Sequence, residues 1–158
     1  MFKFRLALAS LAVAAVSTAA FAGDEIPNNL SRCNSGDGPA VLVTVTGLTA
    51  ATGKIRVQSY KATASDWLSK GAWINRIESR TTATSMSFCV PMPAPGSYGI
   101  AVRHDKNGNG KTDFRQDGGG FSNNPKLSIF NLGKPAVKKA AIAVGNDVKR
   151  ITINMQYL

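Results

Sequence analysis

Apolar and polar positions alternate in short runs along this chain. Val41, Val43 and Val45 alternate with Leu42, Thr44 and Thr46. That is the period of two expected of a strand, because successive side chains point to opposite faces. Gly53 precedes a second run, Ile55, Val57 and Ser59, and Met86 and Phe88 alternate in a third that stops at Pro91 and Pro93. After a turn at Pro95-Gly96, Tyr98, Ile100 and Val102 share one face and Gly99, Ala101 and Arg103 the other. Ala141–Val144 and Val148–Tyr157 read as two strands joined at Gly145-Asn146. In the last strand Ile151, Ile153, Met155 and Tyr157 line one face, and Thr152, Asn154 and Gln156 the other. Ser65 and Gly71 bracket Asp66–Lys70, which predicts one helical turn presenting Trp67 and Leu68 over an end of the core. Ala72–Arg80 is ambiguous. Short strands punctuated by turns, with almost no helix, predict an all-β protein of about seven strands in a single sandwich.

The first residues follow a different pattern. Lys3 and Arg5 precede an apolar stretch from Leu6 to Val16, and small residues lead to Ala20-Phe21-Ala22. A positive start, a short apolar centre and an Ala-x-Ala end predict a secretory signal over 1–22, cleaved before Gly23. The apolar run is short for a membrane span of about 20 residues, so no transmembrane anchor is expected. Residues 23–39 are polar and turn-rich and predict an extension. The β domain proper is expected over 40–158.

Cleavage changes the charge only slightly. Two of the 19 basic residues precede the cleavage point and all nine acids follow it, leaving 17 against nine, or +8. The basic residues are scattered singly or as the pairs Lys138-Lys139 and Lys149-Arg150. Nucleic-acid binding expects clustering, so no nucleic-acid partner is predicted. Attraction to an anionic envelope polymer stays open. Cys33 and Cys89 both lie in the exported part. In an oxidising compartment an even pair most simply forms a disulfide, the alternative being two buried thiols.

The most specific run is His104 to Asp113. Counted from Asp105, side-chain oxygens fall at positions 1, 3, 5 and 9 (Asp105, Asn107, Asn109 and Asp113). Gly110 stands at position 6, and Lys111 at position 7 would offer its carbonyl. This is the spacing of a calcium loop, where alternate residues face a hard cation and a Gly permits the bend. Position 12 departs from it: Gln116 stands there instead of a bidentate Glu. Two readings therefore stand, a weak calcium site and a plain hairpin connection, since Asn-Gly is itself a turn signal.

Several motifs in combination resemble the bacterial family known as domain of unknown function 2141. They are Pro95-Gly96-Ser97-Tyr98, His104-Asp105, Asn107-Gly108-Asn109-Gly110-Lys111 and Gly120-Phe121-Ser122-Asn123-Asn124. The likeness runs from about Ala40 to Tyr157. It implies an exported antiparallel Greek-key β-sandwich akin to transthyretin-like domains, and no established activity. The family pattern carries a Gly-x-Pro-x-Glu segment after the Asp loop. This chain has Phe114-Arg115-Gln116-Asp117-Gly118-Gly119-Gly120 there, with Asp117 the only nearby acid to replace that Glu.

Nothing in the chain assembles an enzyme's constellation. His104 is the only His, placed by strand alternation on the core face at a strand's end. Gly-x-Ser-x-Gly and Ser-x-x-Lys are absent. The expected function is a periplasmic or secreted non-catalytic binding or structural module of unknown ligand. The runner-up is a carbohydrate- or peptidoglycan-associated domain, which needs exposed Trp67 and Trp73. A metal-dependent hydrolase comes third and needs further ligands to converge on Asp105 from distant sequence.

Overall fold

The computed structural model describes residues 23–158. The predicted signal segment, 1–22, lies outside the described residues. Ten strands form two sheets. They are β1 (Asp24–Glu25), β2 (Ala40–Thr46), β3 (Lys54–Lys61), β4 (Asn75–Arg80), β5 (Met86–Pro91), β6 (Gly96–Asp105), β7 (Gly118–Phe121), β8 (Ala141–Val144), β9 (Val148–Asn154) and β10 (Gln156–Tyr157). The larger sheet runs β1-β4-β3-β6-β7-β10, with β8 on the first half of β6 and β7 on its second half. The smaller sheet is β5-β2-β9.

The alternating runs face as expected. Val41, Val43 and Val45 of β2 meet Phe88 and Val90 of β5 and Ile153 of β9 from one sheet. Ile55, Val57, Ile77, Ile100 and Val102 meet them from the other, all essentially inaccessible to solvent. Burial of this layer is the main favourable term in folding. Two joins close the sandwich. At one side Asn75 Nδ2 of β4 donates to the Pro91 carbonyl of β5 at 2.7 Å. At the other the last strand leaves the smaller sheet at Met155 and enters the larger as β10.

Four expectations are corrected. The sheets are not wholly antiparallel: β2 and β9 run parallel, as do β1 and β4. The first of these follows from a crossover, because β9 reaches β2 from β8 in the opposite sheet. The strands number ten rather than about seven, since β1, the ambiguous β4 and the glycine-rich β7 all pair. Asp66–Lys70 forms turns rather than a helix; Thr63, not Ser65, caps them, its Oγ1 accepting from Asp66 N at 3.2 Å. Trp67 covers the outer face of the larger sheet rather than an end of the core. Its ring lies edge-on to Tyr60 and Phe121, with centroids 5.6 and 5.7 Å away. Gly99 makes that seat possible, for a Cβ there would stand 2.3 Å from the indole.

The extension begins as β1 on the larger sheet and then crosses to the smaller one. Asn28 donates to Ser87 O at 2.9 Å and accepts from Cys89 N at 3.1 Å. Cys33 and Cys89 form a disulfide with Cα atoms 5.7 Å apart. It packs with Ala40 and Leu42 on the outer side of that sheet.

Candidate functional site

The Asp105–Asp113 loop leaves β6 and returns as β7. Its predicted ligand residues do come together, but they spend their oxygens on the loop itself. Asp105 is buried, and its two carboxylate oxygens accept from Asn109 N at 3.2 Å and Gly110 N at 2.7 Å. Asn107 Oδ1 also accepts from Asn109 N, at 3.1 Å, and Asn109 Oδ1 accepts from Lys111 N at 2.7 Å. The Asn107 and Asn109 amides donate to Asp113 Oδ2 at 3.1 and 2.8 Å. Donation by Asn109 and then Asn107 holds the half-buried Asp113 carboxyl below its ordinary range. Gly108 and Gly110 supply the left-handed backbone, with φ of 71° and 78°.

Two residues outside the predicted set fasten the loop. Asp117, buried at the start of β7's approach, accepts from Lys106 N at 3.2 Å and Asp113 N at 2.9 Å, clamping both ends. The signal for it was its position as the only acid near the altered family segment. Arg103 sits 3.4 Å from Asp105 and also donates to Thr112 Oγ1 and Gly110 O. Among the described residues no group of three or more His, Cys, Asp or Glu is gathered to hold a metal ion.

His104 is fully buried. Its Nε2 lies 2.8 Å from Thr52 O and its Nδ1 2.7 Å from Tyr157 Oη. A carbonyl only accepts, so Nε2 carries a proton, and in the neutral ring Nδ1 accepts from the tyrosine hydroxyl. That hydroxyl in turn accepts from Thr49 N at 3.2 Å. The imidazole thus ties β6, the β2–β3 loop and β10 together, with both nitrogens occupied. The Phe-Ser-Asn-Asn motif is equally structural. Phe121 packs on Trp67, Ser122 Oγ accepts from Ile100 N and donates to Ala140 O, and Asn123 donates to Ala141 O. Asn124 pairs with the free edge of β9, accepting from Asn154 N at 2.7 Å and donating to Thr152 O at 2.9 Å.

The two tryptophans are both partly covered. Trp67 Nε1 donates to Pro135 O at 2.8 Å beneath the aromatic cluster. Trp73 borders a depression with Lys61, Asp66 and Lys70, but the Arg76 guanidinium lies 4.4 Å from its ring centroid and occupies one face.

The outer face of the larger sheet carries a groove of about 410 Å³. Ala101 of β6 and Gly119 of β7 lower its floor, where Arg56 and Arg103 also lie. Thr112 and Phe114, from the Asp loop, make one wall; Leu132 and Lys134 make the other, with Leu158 beside them. Phe114, Leu132 and Leu158 are each about half exposed. Arg56 is held by Glu78, directly opposite on β4, through a 2.6 Å bond from Nε.

Two packed β-sheets, a self-bonded Asp/Asn loop and an open groove on one sheet define the class of domain. The chain belongs to the family described as an uncharacterized protein conserved in bacteria, domain of unknown function 2141, whose profile matches residues 43–152. No curated protein matches it. Among solved structures it is similar to a candidate adhesin from Bacteroides ovatus ATCC 8483, at 14% identity and a TM-score of 0.31. The alignment covers 80% of this chain and 46% of that one, so this chain matches less than half of its neighbour's length. A likeness that distant carries no argument about fold or function.

Proposed function

We propose that the chain is an exported, non-catalytic binding module that holds its ligand in the groove of the larger sheet. The groove carries this reading. Small residues recess the floor, Phe114 and Leu132 line the walls beside Thr112 and Lys134, and Arg56, Arg103 and Asp117 also line it, within the size range of small-molecule sites. The only imidazole is buried with both nitrogens bonded, which supports binding over acid–base chemistry. The Cys33–Cys89 bond supports an oxidising compartment, periplasmic or extracellular. The crossovers β4 to β5 to β6 support a transthyretin-like, Greek-key arrangement.

Titration with anilinonaphthalene sulfonate, an apolar anion, tests the groove. The parent protein should enhance its fluorescence, and Ala101→Trp, which fills the floor, should abolish most of that gain at an unchanged melting temperature. Equal dye binding by both proteins would remove the groove from the reading. Mass spectrometry of the exported form should show a Gly23 start; a retained Met1 would contradict cleavage.

Calcium binding by Asp105, Asn107, Asn109, Asp113 and the Lys111 carbonyl belongs to the same proposal, as a weak accessory site. An ion there must displace the loop's own N–H donors, and only two carboxylates face it. That sets affinity in the range of about 10⁻⁴ to 10⁻³ M. At ten times the dissociation constant the ion would stabilise the fold by about 1.4 kcal/mol. An unchanged melting temperature at about 10 mM calcium, ten times the upper end of that range, would leave the loop as a connector.

A further inference from the structure

The groove wall continues into an exposed turn. Ile129–Asn131 forms one tight 3-10 turn, closed at its base by Gly133 N donating to Ser128 O at 3.0 Å. Ser128 Oγ caps it, accepting from Phe130 N at 3.2 Å. This well-bonded turn holds apolar side chains out in solvent: Phe130 is 95% exposed, Ile129 66% and Leu132 62%. They contribute nothing to the core, and holding them there costs free energy that a partner would recover.

The charge around the turn narrows the choice of partner. From Gly118 to Asn146 the chain carries four lysines, Lys126, Lys134, Lys138 and Lys139, and no acid. All four are exposed, and among the described residues none is in an ion pair. Lys126 and Lys134 leave the base of the turn on its two sides. Protein interfaces are depleted of lysine. An apolar tip flanked along the chain by unpaired lysines instead complements an anionic lipid surface, where the tip enters the acyl boundary and the ammonium groups reach the phosphates.

We propose that the 126–134 turn is a membrane-docking tip: Ile129, Phe130 and Leu132 insert into the interface of an anionic phospholipid membrane while Lys126 and Lys134 meet its headgroups. This surface shares Leu132 and Lys134 with the groove wall, while Lys126, Ile129 and Phe130 lie outside the groove lining, so membrane docking is tested without any groove ligand. With one short tip, docking is weak and reversible.

The test is co-sedimentation of the full chain with phosphatidylcholine vesicles, with and without phosphatidylglycerol. The protein should partition to the anionic vesicles, and added salt should weaken it. Ile129→Ser/Phe130→Ser should lower the partition coefficient at least about tenfold, and Lys126→Gln or Lys134→Gln about fivefold each. The residues changed are exposed, so melting temperature should stay the same. A second readout separates the tip from the apolar N-terminal segment. In Phe130→Trp, vesicles with brominated acyl chains should quench more fluorescence than they do in the parent. Undiminished binding by the serine variant, or no extra quenching at position 130, would overturn the proposal. So would a tip-dependent dimer that ignores lipid, since the turn would then be a contact between copies.

Discussion

The outer faces of the two sheets are each covered at one end and open at the other, yet they differ in readiness to bind. On the smaller sheet the cover is covalent: Cys33 reaches Cys89 over Ala40 and Leu42. The remainder is a polar strip, where Thr46 donates to Asn154 at 2.6 Å beside Thr44 and Thr152. On the larger sheet the cover is an aromatic plug, Trp67 against Tyr60 and Phe121. Burial there raises the Tyr60 phenol above its ordinary value of 10.0, against the lowering effect of Arg76 and Arg56. Beyond the plug the face drops to Ala101 and Gly119 between two loop walls. Loops rising beside small residues make a recess, whereas the smaller sheet presents longer side chains, Thr44, Thr46, Arg150 and Thr152, along its outer face.

The disulfide offers the largest perturbation. Cys33→Ser/Cys89→Ser opens a cross-link of sequence separation 56. Denaturant unfolding should show a loss of about 4 kcal/mol on the chain-entropy account. Groove dye binding should survive wherever the variant is folded; its loss would show that the two faces are coupled. Trp67→Ala should cost about 3 kcal/mol, the low end for a large aromatic because the ring is only partly buried. Unlike the disulfide variant it should also change dye affinity, since it opens the end of the groove. Asp105→Ala removes the acceptor for Asn109 N and Gly110 N and should cost about 2 kcal/mol. Thermal melts in calcium then divide the two readings of the loop. A calcium-induced rise lost in the variant marks a site, and a lower melting temperature that ignores calcium marks a turn cap.

The smallest effect concerns the extension's last tie. Asp147 accepts from Gly36 N at 3.1 Å and Val148 N at 2.7 Å, and these bonds, Gly36 first, hold its carboxyl below the ordinary 3.8. A lowered folded-state pKa means the stabilisation is present above the unfolded value and fades as pH falls through the folded one. Parent and Asp147→Asn stabilities should therefore differ by a constant from neutrality down to about pH 5 and converge below about pH 4. A difference that persisted at the lowest pH would mean the carboxylate's charge is not what holds Gly36.

Legibility in the sequence followed local packing. β2, β3 and β6 were readable because the core face of each carries at least two apolar residues in strict alternation, Val41/Val43/Val45, Ile55/Val57 and Tyr98/Ile100/Val102. β4 was not, since Ile77 is its only fully buried residue. β7 was hidden by its glycines, whose reason lies in distant partners: a Cβ at Gly118 would come within 2.6 Å of the Tyr157 ring, and one at Gly120 within 2.6 Å of Ile153. The calcium-like spacing gathered the right side chains, but their use by backbone donors depends on how the loop closes through Asp117. The groove depends on register across strands, with Arg56 opposite Arg103 and Arg103 opposite Gly119, which no local pattern encodes.

The pairing of β2 with β9 has a kinetic consequence. The central strand of the smaller sheet takes a partner 108 positions later, as in the bond between Thr46 and Asn154. Until the C-terminal residues have been synthesised, that sheet lacks one of its three strands and β2 keeps an unsatisfied edge. Such non-local pairings place folding in the slow regime of about milliseconds to seconds. This sheet therefore closes only once nearly the whole chain is available, however early β2 and β5 pair.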